Sequence, residues 1–303
     1  MIQSAFLGTP SSALPALVAL TDVSDVVLIV TRPDQPHGRS RSPRPSPVRT
    51  HAEELGIPVA TPRDPGELIE VISTIYLDIA IVAAFGMIIP TAALELPARG
   101  MINVHFSLLP RWRGAAPVER AMLAADAVTG VTLMQMNAGL DTGPLLATWP
   151  TAIRSDETAG ALTARLAIGG AELLANQLGA IVGGDVDAIP QPEEGTNYAP
   201  MLSTAEAKVD WALPAYEVER RIRAFNPRPG AHTTWRGERF KIHLTKAASA
   251  EMTPGAIRLL DGQALVGCGE GSVELVVVQP PGAKQMASSA WARGVQGDPG
   301  HFE

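Results

Sequence analysis

The sequence predicts an α/β protein in two parts, a doubly wound, mostly parallel sheet followed by a small C-terminal β-barrel. Two observations predict it. Short apolar runs alternate with helix-like stretches through residues 1–182, which is typical of parallel strands joined by crossover helices. From residue 232 onwards the pattern changes to short strands separated by turn signals, which favours a small barrel of the OB type.

The strands of the first part are identified by continuous apolar runs, as expected for strands that are buried on both faces. They are predicted at Ile2–Leu7, Val26–Val30, Ile79–Ala84, Met101–Val104 and Val131–Met136. Helices are predicted between them at Ser12–Leu20, Pro47–Leu55, Pro65–Ile75 and Ala115–Leu123. A longer helix over Thr158–Val182 follows the capping candidates Ser155 and Asp156 and stops at the Gly183-Gly184 pair.

A change in composition separates the two parts. Residues 183–204 are rich in Gly, Pro and polar residues and predict a linker. We therefore expect a first domain over 1–182, a linker over 183–204 and a C-terminal barrel over 205–303. The barrel begins with a short helix at Ala215–Ala224. Its strands are predicted at His232–Trp235, Arg239–Thr245, Ala256–Leu260, Ala264–Gly267 and Val273–Val278, with turns at Arg236-Gly237 and Asp261-Gly262.

Composition narrows the class of protein. With 46% hydrophobic residues in 303, the chain is too apolar to be disordered. No continuous apolar run reaches the roughly 18 residues of a membrane span, and the start of the chain lacks the basic flank of a signal peptide, so we expect no membrane association. Cys268 is the only cysteine, which excludes disulfides within the chain and favours a reducing cytoplasm.

The charge distribution is uneven. A net charge of -7 argues against nucleic acid as a partner of the chain as a whole. Positions 31–50 nevertheless carry five arginines and a single aspartate, interleaved with Pro, Gly and Ser. Such a segment cannot pack a core, and its charges suit phosphate groups. The alternative, a solvated surface loop, is equally compatible with the composition.

Two polar residues end the fourth predicted strand, within MINVHFSLLPRWRGAAP at 101–117. Asn103 and His105 lie two apart, so on an extended strand they point to the same side, at the edge of a parallel sheet where ligands bind. An amide donor beside an imidazole can stabilise an oxyanion and move a proton. The alternative is a strand end whose polar side chains cap a loop, and for an isolated N-x-H it is the commoner case.

Asp141 follows the fifth predicted strand, in NAGLDTG at 137–143. A carboxylate there would hold His105 in one tautomer. Asp-Thr-Gly is also a common turn, so Asp141 could be an Asx-turn residue only. For AFGMIIP at 84–90, a buried strand followed by a turn is the simpler interpretation of the residues alone.

Seven short sequence blocks, spread along the chain, together resemble one known family. They are FLGTP at 6–10, RPDQPHGRSRSPRPSPV at 32–48, AFGMIIP at 84–90, NVHFSLLPRWRGAAP at 103–117, GLDTG at 139–143, FNPRPGAH at 225–232 and VQPPGAKQM at 278–286. In this order they resemble the methionyl-tRNA formyltransferase family. The H-x-SLLP-x-x-x-G core is shared by the wider formyltransferase superfamily, whereas the basic segment and the C-terminal blocks resemble the tRNA enzymes more specifically.

The resemblance implies transfer of a formyl group from 10-formyltetrahydrofolate to the α-amino group of initiator methionyl-tRNA, in a Rossmann-like catalytic domain with an OB-like tRNA-binding domain. It implies that Asn103 and protonated His105 hydrogen-bond the forming oxyanion and that Asp141 orients His105. Folate contacts are implied for Ser107, Leu108, Leu109 and Pro110, and backbone contacts to the pterin for Phe85, Gly86, Met87, Ile88 and Ile89. Arg39, Arg41 and Arg44 are implied to meet the tRNA acceptor stem.

Two other functions remain open at this point. A formyltransferase or formyl-folate hydrolase with a small-molecule acceptor would use the same trio without needing the arginine-rich segment or the C-terminal barrel. A non-catalytic RNA-binding protein would have no need to keep Asn103, His105 and Asp141. Phe106 and Phe85 depart from the family's usual residues and put the fine shape of the pocket in question. The histidines show no metal-ligand spacing, so we expect no metal, and we expect a monomer.

Overall fold

The computed structural model of the protein describes residues 1–36, 42–260 and 262–303. These residues divide into two compact units. Unit 1 comprises Met1–Pro117, Val128–Ala152 and Thr163–Ala199. Unit 2 comprises Val118–Ala127, Ile153–Leu162 and Pro200–Glu303.

Strands and helices alternate through the first 199 residues. In chain order the elements are β1 Gln3–Gly8, α1 Leu14–Val23, β2 Asp25–Val30, β3 Gln35–Pro36, β4 Pro43–Arg44, α2 Pro47–Leu55, β5 Val59–Ala60, α3 Pro65–Ser73, β6 Ile79–Ala83, α4 Thr91–Leu94, β7 Met101–His105, β8 Arg113–Gly114, α5 Pro117–Leu123, β9 Val128–Gln135, β10 Leu145–Ala152, α6 Ala159–Gly183 and β11 Tyr198–Ala199. Side-chain caps mark where two of these helices begin. The Ser46 hydroxyl accepts from the Arg49 amide at the start of α2, and the Asp64 carboxylate accepts from the Gly66 and Glu67 amides at the start of α3.

The described part of unit 1 contains a seven-stranded sheet in the order β10-β9-β7-β6-β1-β2-β5. From β7 to β5 all neighbours are parallel, whereas β9 runs antiparallel to both of its neighbours. The predicted doubly wound, mostly parallel sheet is therefore confirmed. Its five predicted strands are present with ends shifted by no more than three residues, and the two edge strands, β10 and β5, are additions.

Helix α6 is the longest helix and is apolar enough, by length and composition, to cross a membrane. The packing of α6 against the sheet explains why the helix is so apolar. A Cβ atom added at Gly170 would lie 2.9 Å from Val104 Cγ1 and 3.1 Å from Val131 Cγ1, and Gly169 is covered by the Trp149 ring. The two glycines therefore let the helix backbone lie directly on β7, β9 and β10, and its apolar face belongs to the core of unit 1.

Unit 2 is built on an antiparallel sheet. Its elements after residue 200 are α7 Ala215–Ala224, β12 His232–Trp235, β13 Glu238–Ala248, β14 Ile257–Leu260, β15 Gln263–Gly267, β16 Ser272–Gln279, β17 Met286–Ala287 and α8 Ser288–Gly294. The strand order is β12-β13-β16-β15-β14, with β17 added to β16. Near the end of the chain, His301 bridges to Ala256 beside β14 and Phe302 bridges to Trp235 in β12. These bridges join the two edge strands, which confirms a small barrel.

The barrel interior is aromatic. Phe240 lies 5.0 Å from both Trp291 and Phe302, measured between ring centroids, and Phe302 stacks on Trp211 at 5.5 Å. All four side chains are buried, and rings at these separations and tilts attract one another beyond simple burial of area. The predicted barrel strands all match observed strands. Strand β17 and helix α8, which carries Trp291, were not predicted.

Candidate active site

The centre of the candidate site is strand β7. Asn103 and His105 alternate with Val104, and Val104 faces helix α6 on the other side of the sheet. Both polar side chains therefore share the face of the sheet opposite α6. His105 is buried and Asn103 is half-buried, so a reaction beside them would proceed largely away from bulk water.

Asp141 joins these two side chains. Its Oδ2 atom lies 3.7 Å from His105 Nδ1, within ion-pair range, and its Oδ1 atom accepts from Asn103 Nδ2 at 3.3 Å. The Gly114 amide donates to Oδ2 at 2.8 Å. The contacts of this carboxylate therefore extend beyond its own turn, to an imidazole, a side-chain amide and a backbone amide. The structure thus brings together the three side chains named from the sequence.

The route by which Asp141 reaches them differs from the sequence expectation. The sequence placed Asp141 beyond the carboxyl end of the fifth predicted strand, and the strands of this part were expected to run parallel. Strand β9 is antiparallel to β7, with Gln135 opposite Ile102 and Thr132 opposite His105, so its carboxyl end lies beside the beginning of β7. Residues 136–144 fold back over the sheet face to place Asp141 on Asn103 and His105. The expected juxtaposition holds, but the assumed strand direction was wrong.

The other ring nitrogen of His105 has a partner that sequence reasoning missed. His105 Nε2 lies 2.9 Å from the main-chain oxygen of Trp112. A carbonyl oxygen only accepts, so Nε2 carries a proton, and Nδ1 is the nitrogen that faces Asp141. Trp112 is a non-glycine residue with a φ of 66°, in the left-handed region, and this backbone turn aims its carbonyl at the imidazole.

Residues 107–110, the SLLP segment, are hydrogen-bonded to the side chain of one threonine. Thr132 in β9 donates from its hydroxyl to the Ser107 carbonyl at 2.7 Å and accepts from the Leu109 amide at 3.2 Å. Ser107 donates from its own hydroxyl to the Arg111 carbonyl at 2.6 Å and is fully buried, as is nearly all of Leu109. Of the four predicted folate residues, only Leu108 and Pro110 therefore present part of their side chains to solvent.

Residues 85–89 follow β6, the strand beside β7. The side chains of Phe85, Met87 and Ile89 pack into the core of unit 1, whereas Ile88 is 87% exposed. The Phe85 carbonyl accepts from the Thr9 hydroxyl at 2.8 Å, which ties this segment to the end of β1. Gly86 has a φ of 79°, a conformation that suits glycine. With its larger side chains turned inward, the segment leaves mainly backbone and Ile88 to meet a ligand.

Residues 189–199, which the sequence suggested were part of a linker, contact the site directly. Gln191 donates from Nε2 to the Asp141 and Gly143 carbonyls, and Asn197 accepts from the Trp112 amide through its side-chain oxygen. Strand β11 pairs in parallel with β8, which holds Arg113 and Gly114. No signal in the sequence marked these residues, because a stretch rich in Pro, Gly and acids has the same composition as a solvated connection.

Of the three predicted phosphate-binding arginines, the structure describes one. Arg39 and Arg41 lie outside the residues that the structure describes. Arg44 is exposed, in strand β4, which pairs with β3 as a short antiparallel ribbon. Nearby, Arg49 binds Asp34 at 3.0 Å and Glu53 at 2.7 Å, and these carboxylates raise the pKa of the Arg49 guanidinium. Arg49 is thus engaged within the protein, while Arg44 extends into solvent.

Two family models match the chain. A formyl transferase model covers residues 4–178, and a formyl transferase C-terminal domain model covers residues 201–296. The first contains Asn103, His105 and Asp141, and the second contains the barrel strands.

Curated relatives match nearly from end to end. A methionyl-tRNA formyltransferase of Acidothermus cellulolyticus is 43% identical over 97% of this chain and 98% of its own length. One from Chromobacterium violaceum is 45% identical over 95% of both chains. One from Streptomyces coelicolor is 44% identical over 96% of both.

Solved structures share the fold at lower identity. An N-formyltransferase of Helicobacter canadensis, in complex with folinic acid and dTDP-3-aminofucose, superposes with a TM-score of 0.70 at 18% identity, over 94% of this chain and all of that one. HypX of Aquifex aeolicus in complex with tetrahydrofolic acid has a TM-score of 0.67 at 18% identity, over 95% of this chain and 46% of the longer one. At this identity the likeness is one of fold.

Proposed function

Because the chain belongs to the methionyl-tRNA formyltransferase family, we propose that it transfers the formyl group of 10-formyltetrahydrofolate to the α-amino group of initiator methionyl-tRNA. The observation that carries the residue-level proposal is the convergence of Asn103, His105 and Asp141 on one face of the sheet. An amide, an imidazole and a carboxylate in mutual contact supply a donor, a proton carrier and an orienting charge for acyl transfer.

The bond changes are those of a direct transfer. The methionyl nitrogen attacks the formyl carbon, a carbon–nitrogen bond forms, and the carbonyl oxygen becomes an oxyanion. The bond from that carbon to the folate nitrogen then breaks. The attacking nitrogen loses one proton and the folate nitrogen gains one, so no covalent enzyme intermediate and no other reactant are needed.

The oxyanion is held, in this proposal, by Asn103 and His105. Asn103 Nδ2 carries two hydrogens and donates one of them to Asp141, so the other can donate to the oxyanion. His105 Nε2 is committed to the Trp112 carbonyl, so Nδ1 is the nitrogen that can donate to the reacting group. Donors that are fixed before the reaction need no reorganisation when charge develops, and losing one such donor typically costs about 10²–10³ in rate.

Asp141 has the orienting role. Its side chain is 12% exposed, and the Gly114 amide fixes its position beside His105 Nδ1. A carboxylate here stabilises the imidazolium form during proton transfer, and we propose that it relays the proton through water between the two nitrogens.

The donor is proposed to lie along residues 85–89 and 107–110. A pterin edge presents alternating donors and acceptors, which backbone groups can bind without special side chains. The inward packing of Phe85, Met87 and Ile89 favours such backbone recognition. Ser107 and Leu109 are buried, so we assign any folate contact they make to their main chain, with Leu108 and Pro110 lining the pocket.

The acceptor tRNA is proposed to meet Arg39, Arg41 and Arg44 and the C-terminal barrel. We propose that residues 1–182 carry catalysis, that residues 183–204 connect the two parts and that residues 205–303 bind tRNA. We also propose that the protein acts as a cytoplasmic monomer without a metal. The relatives favour this acceptor over a small molecule, because they match across the barrel as well as the catalytic part.

The test is a transfer assay with purified protein, the formyl donor and charged initiator tRNA. Formyl-methionine released from the tRNA should accumulate only when all three components are present. Replacing charged initiator tRNA with charged elongator tRNA or free methionine should abolish most of the product. Equal rates with free methionine or with an amino sugar, or release of formate without any acceptor, would support the small-molecule or hydrolase alternatives instead.

A further inference from the structure

One member of the reacting trio and one residue that contacts the trio have backbone conformations that residues with a side chain rarely adopt. Asp141 has a φ of 51° and Trp112 a φ of 66°. Both lie in the left-handed region, where a Cβ atom crowds the following carbonyl. Asp141 supplies the carboxylate, and Trp112 supplies the carbonyl on His105. The geometry of the trio therefore depends on two backbone conformations that do not persist without support.

That support comes from one segment, which we call the strap and define as residues 189–199. Gln191 Nε2 donates to the Asp141 carbonyl at 2.9 Å and to the Gly143 carbonyl at 2.7 Å. Asn197 accepts from the Trp112 amide through Oδ1, and its carbonyl accepts from the Arg113 amide at 3.1 Å. Each of the two left-handed residues is thus held through its main chain by a different amide side chain of the strap.

Gln191 also reaches the second loop. Its Oε1 atom accepts from Arg113 Nε at 2.9 Å and from Nη2 at 2.7 Å. Arg113 precedes Gly114, whose amide donates to Asp141 Oδ2. One side chain therefore connects the loop that carries Asp141 with the loop that holds the Asp141 carboxylate, and both ends of its amide group are used.

The strap is itself fixed at both ends. Ile189 exchanges two main-chain hydrogen bonds with Leu145, at 2.8 and 2.9 Å. Strand β11 pairs with β8, and the Ala199 carbonyl accepts from the Ala115 amide at 2.9 Å. Between these anchors Pro192, Glu193, Glu194 and Gly195 are exposed and contact neither loop through any described bond. The strap is therefore hydrogen-bonded at both ends and exposed in its middle.

We propose that Gln191 and Asn197 are positioning residues for the formyl transfer, acting through Asp141 and through the Trp112 carbonyl on His105. Neither touches a reacting atom. This inference rests on the proposed function for the identity of the reaction, but it concerns the geometry of the trio and applies to whichever formyl transfer the protein catalyses.

The experiment compares variants of Gln191 in the full-length protein. Gln191→Met keeps the length of the side chain and removes its hydrogen bonds. It should lower kcat by about 10- to 100-fold, since small misplacement of a catalytic group has effects of this size. The KM for the folate donor should stay close to that of the wild type, and the melting curve should show that the variant is still folded at the assay temperature. Glu194→Ala, in the exposed middle of the strap, is the matched control and should keep wild-type kcat.

Asn197 gives an independent test, which also serves if the Gln191 variants fold poorly. Asn197→Asp keeps the oxygen that accepts from the Trp112 amide and should retain most of the activity. Asn197→Leu loses that acceptor and should lower kcat by a similar 10- to 100-fold. A purely packing role predicts the reverse order, because Leu fills the same space without the cost of a buried charge.

Several outcomes would overturn the proposal. Wild-type kcat in Gln191→Met would do so, as would a loss explained fully by the unfolded fraction, or equal kcat in Asn197→Asp and Asn197→Leu. Failure of the proposed function is separable from these results. If the wild type formylates a different acceptor, the same four variants are ranked on that reaction, and the predicted order is unchanged.

Discussion

At the scale of single residues, the site is organised by what each polar atom is already bonded to. His105 has one nitrogen on a carbonyl and the other facing a carboxylate, and Asn103 has one of its two amide hydrogens on that carboxylate. The second amide hydrogen of Asn103 is not used by these contacts. Burial matters here as much as identity, because an oxyanion formed away from bulk water depends on these donors alone.

The first prediction concerns His105. His105→Ala should reduce turnover by about 10²–10⁴-fold, the range typical of lost acid–base help. Affinity for the folate donor should change far less, because the proposed donor site lies on residues 85–89 and 107–110. Single-turnover kinetics and a folate-binding titration measure the two effects separately. His51→Ala, which removes a half-exposed histidine from α2, is the control, and near-normal turnover of His105→Ala would refute the assigned role.

At the scale of elements, close contact between α6 and the sheet fixes the face on which the site lies. Val104 is held against the helix backbone at Gly170, so its neighbours Asn103 and His105 are held on the opposite face. A register slip of one residue would exchange them. The glycines of α6 are therefore part of the reason that the polar pair faces the reaction.

The second prediction concerns those glycines. Gly170→Ala places a methyl group 2.9 Å from Val104 and 3.1 Å from Val131, so the crowded side chains must move. Overpacking of this kind costs about 1–3 kcal/mol, against a gain of about 1 kcal/mol in helix propensity. The matched control is Gly179→Ala, an exposed position of the same helix with open space around its Cβ.

Denaturant unfolding of the two variants decides the question. Gly179→Ala should stabilise the protein by up to about 1 kcal/mol, while Gly170→Ala should be neutral to destabilising. A stabilised Gly170→Ala would show that the helix does not lie as close to β7 and β9 as described.

The third prediction concerns an ion pair in unit 2. Glu206 accepts from Arg120 Nη1 at 2.8 Å and from the Ser203 amide at 2.9 Å, and these bonds lower the pKa of its carboxyl from 4.5 to about 2. The unfolded chain therefore takes up this proton first as the pH falls. The stability from Glu206 is fully present above 4.5 and is lost as the pH falls towards 2.

The measurement is the melting temperature of the wild type and of Glu206→Gln across that pH range. The two curves should be separated above 4.5 and should converge as the pH approaches 2. Because the Glu206 side chain is 38% exposed, the separation should be small. It should correspond to a difference of about 1 kcal/mol or less in the free energy of unfolding. A separation that grows on acidification would contradict the assigned pKa direction.

The sequence predicted those elements whose signals are local. Buried parallel strands such as Ile79–Ala83 are continuous apolar runs. The helix predicted at Pro47–Leu55 matches α2, which has a proline in its first turn and a glycine as its C-cap. Strand β10 gave no such signal, because its outer positions are exposed and Pro150 interrupts it. The direction of β9 was also hidden, because a buried antiparallel strand between two others is as uniformly apolar as a parallel one.

The candidate site was predicted in part for the same reason. Asn103, His105 and Asp141 are polar residues in apolar or turn contexts, and the family resemblance gave them roles. Thr132 was a missed signal of this kind, since it is a fully buried hydroxyl within an apolar strand. The positive φ angles of Trp112 and Asp141 and the bonds of Gln191 are tertiary properties with no trace in composition, so the strap could only be found in the structure.

At the scale of the whole molecule, the balance of charge sets how a polyanion can approach. The net charge is -7, and residues 31–50 hold five of the 24 basic residues with one acid. A tRNA is repelled by the molecule on average and attracted to this segment, which favours one orientation over many. Arg44 is exposed in β4, with solvent around it. Because the negative charge is concentrated in residues 1–204, which contain this segment, binding by that part of the chain should depend strongly on the few arginines of the segment.

The last prediction concerns those arginines. Replacing Arg39, Arg41 and Arg44 together with Ala should weaken binding of initiator tRNA and flatten its salt dependence. Each phosphate contact contributes about 0.7–0.9 to the slope of log K against log salt, so the slope should fall by about 2–3 if all three arginines contact phosphates. Folate binding should be unchanged, because the residues proposed to bind folate are elsewhere in unit 1.

The control is a second triple variant that combines Arg63→Ala, Arg99→Ala and Arg154→Ala. It removes the same charge from other exposed positions and should keep nearly the wild-type slope. Equal slopes and affinities for the wild type and the Arg39, Arg41, Arg44 variant would mean that the segment only coats the surface. Equal losses in both triples would mean that tRNA senses total charge rather than these contacts.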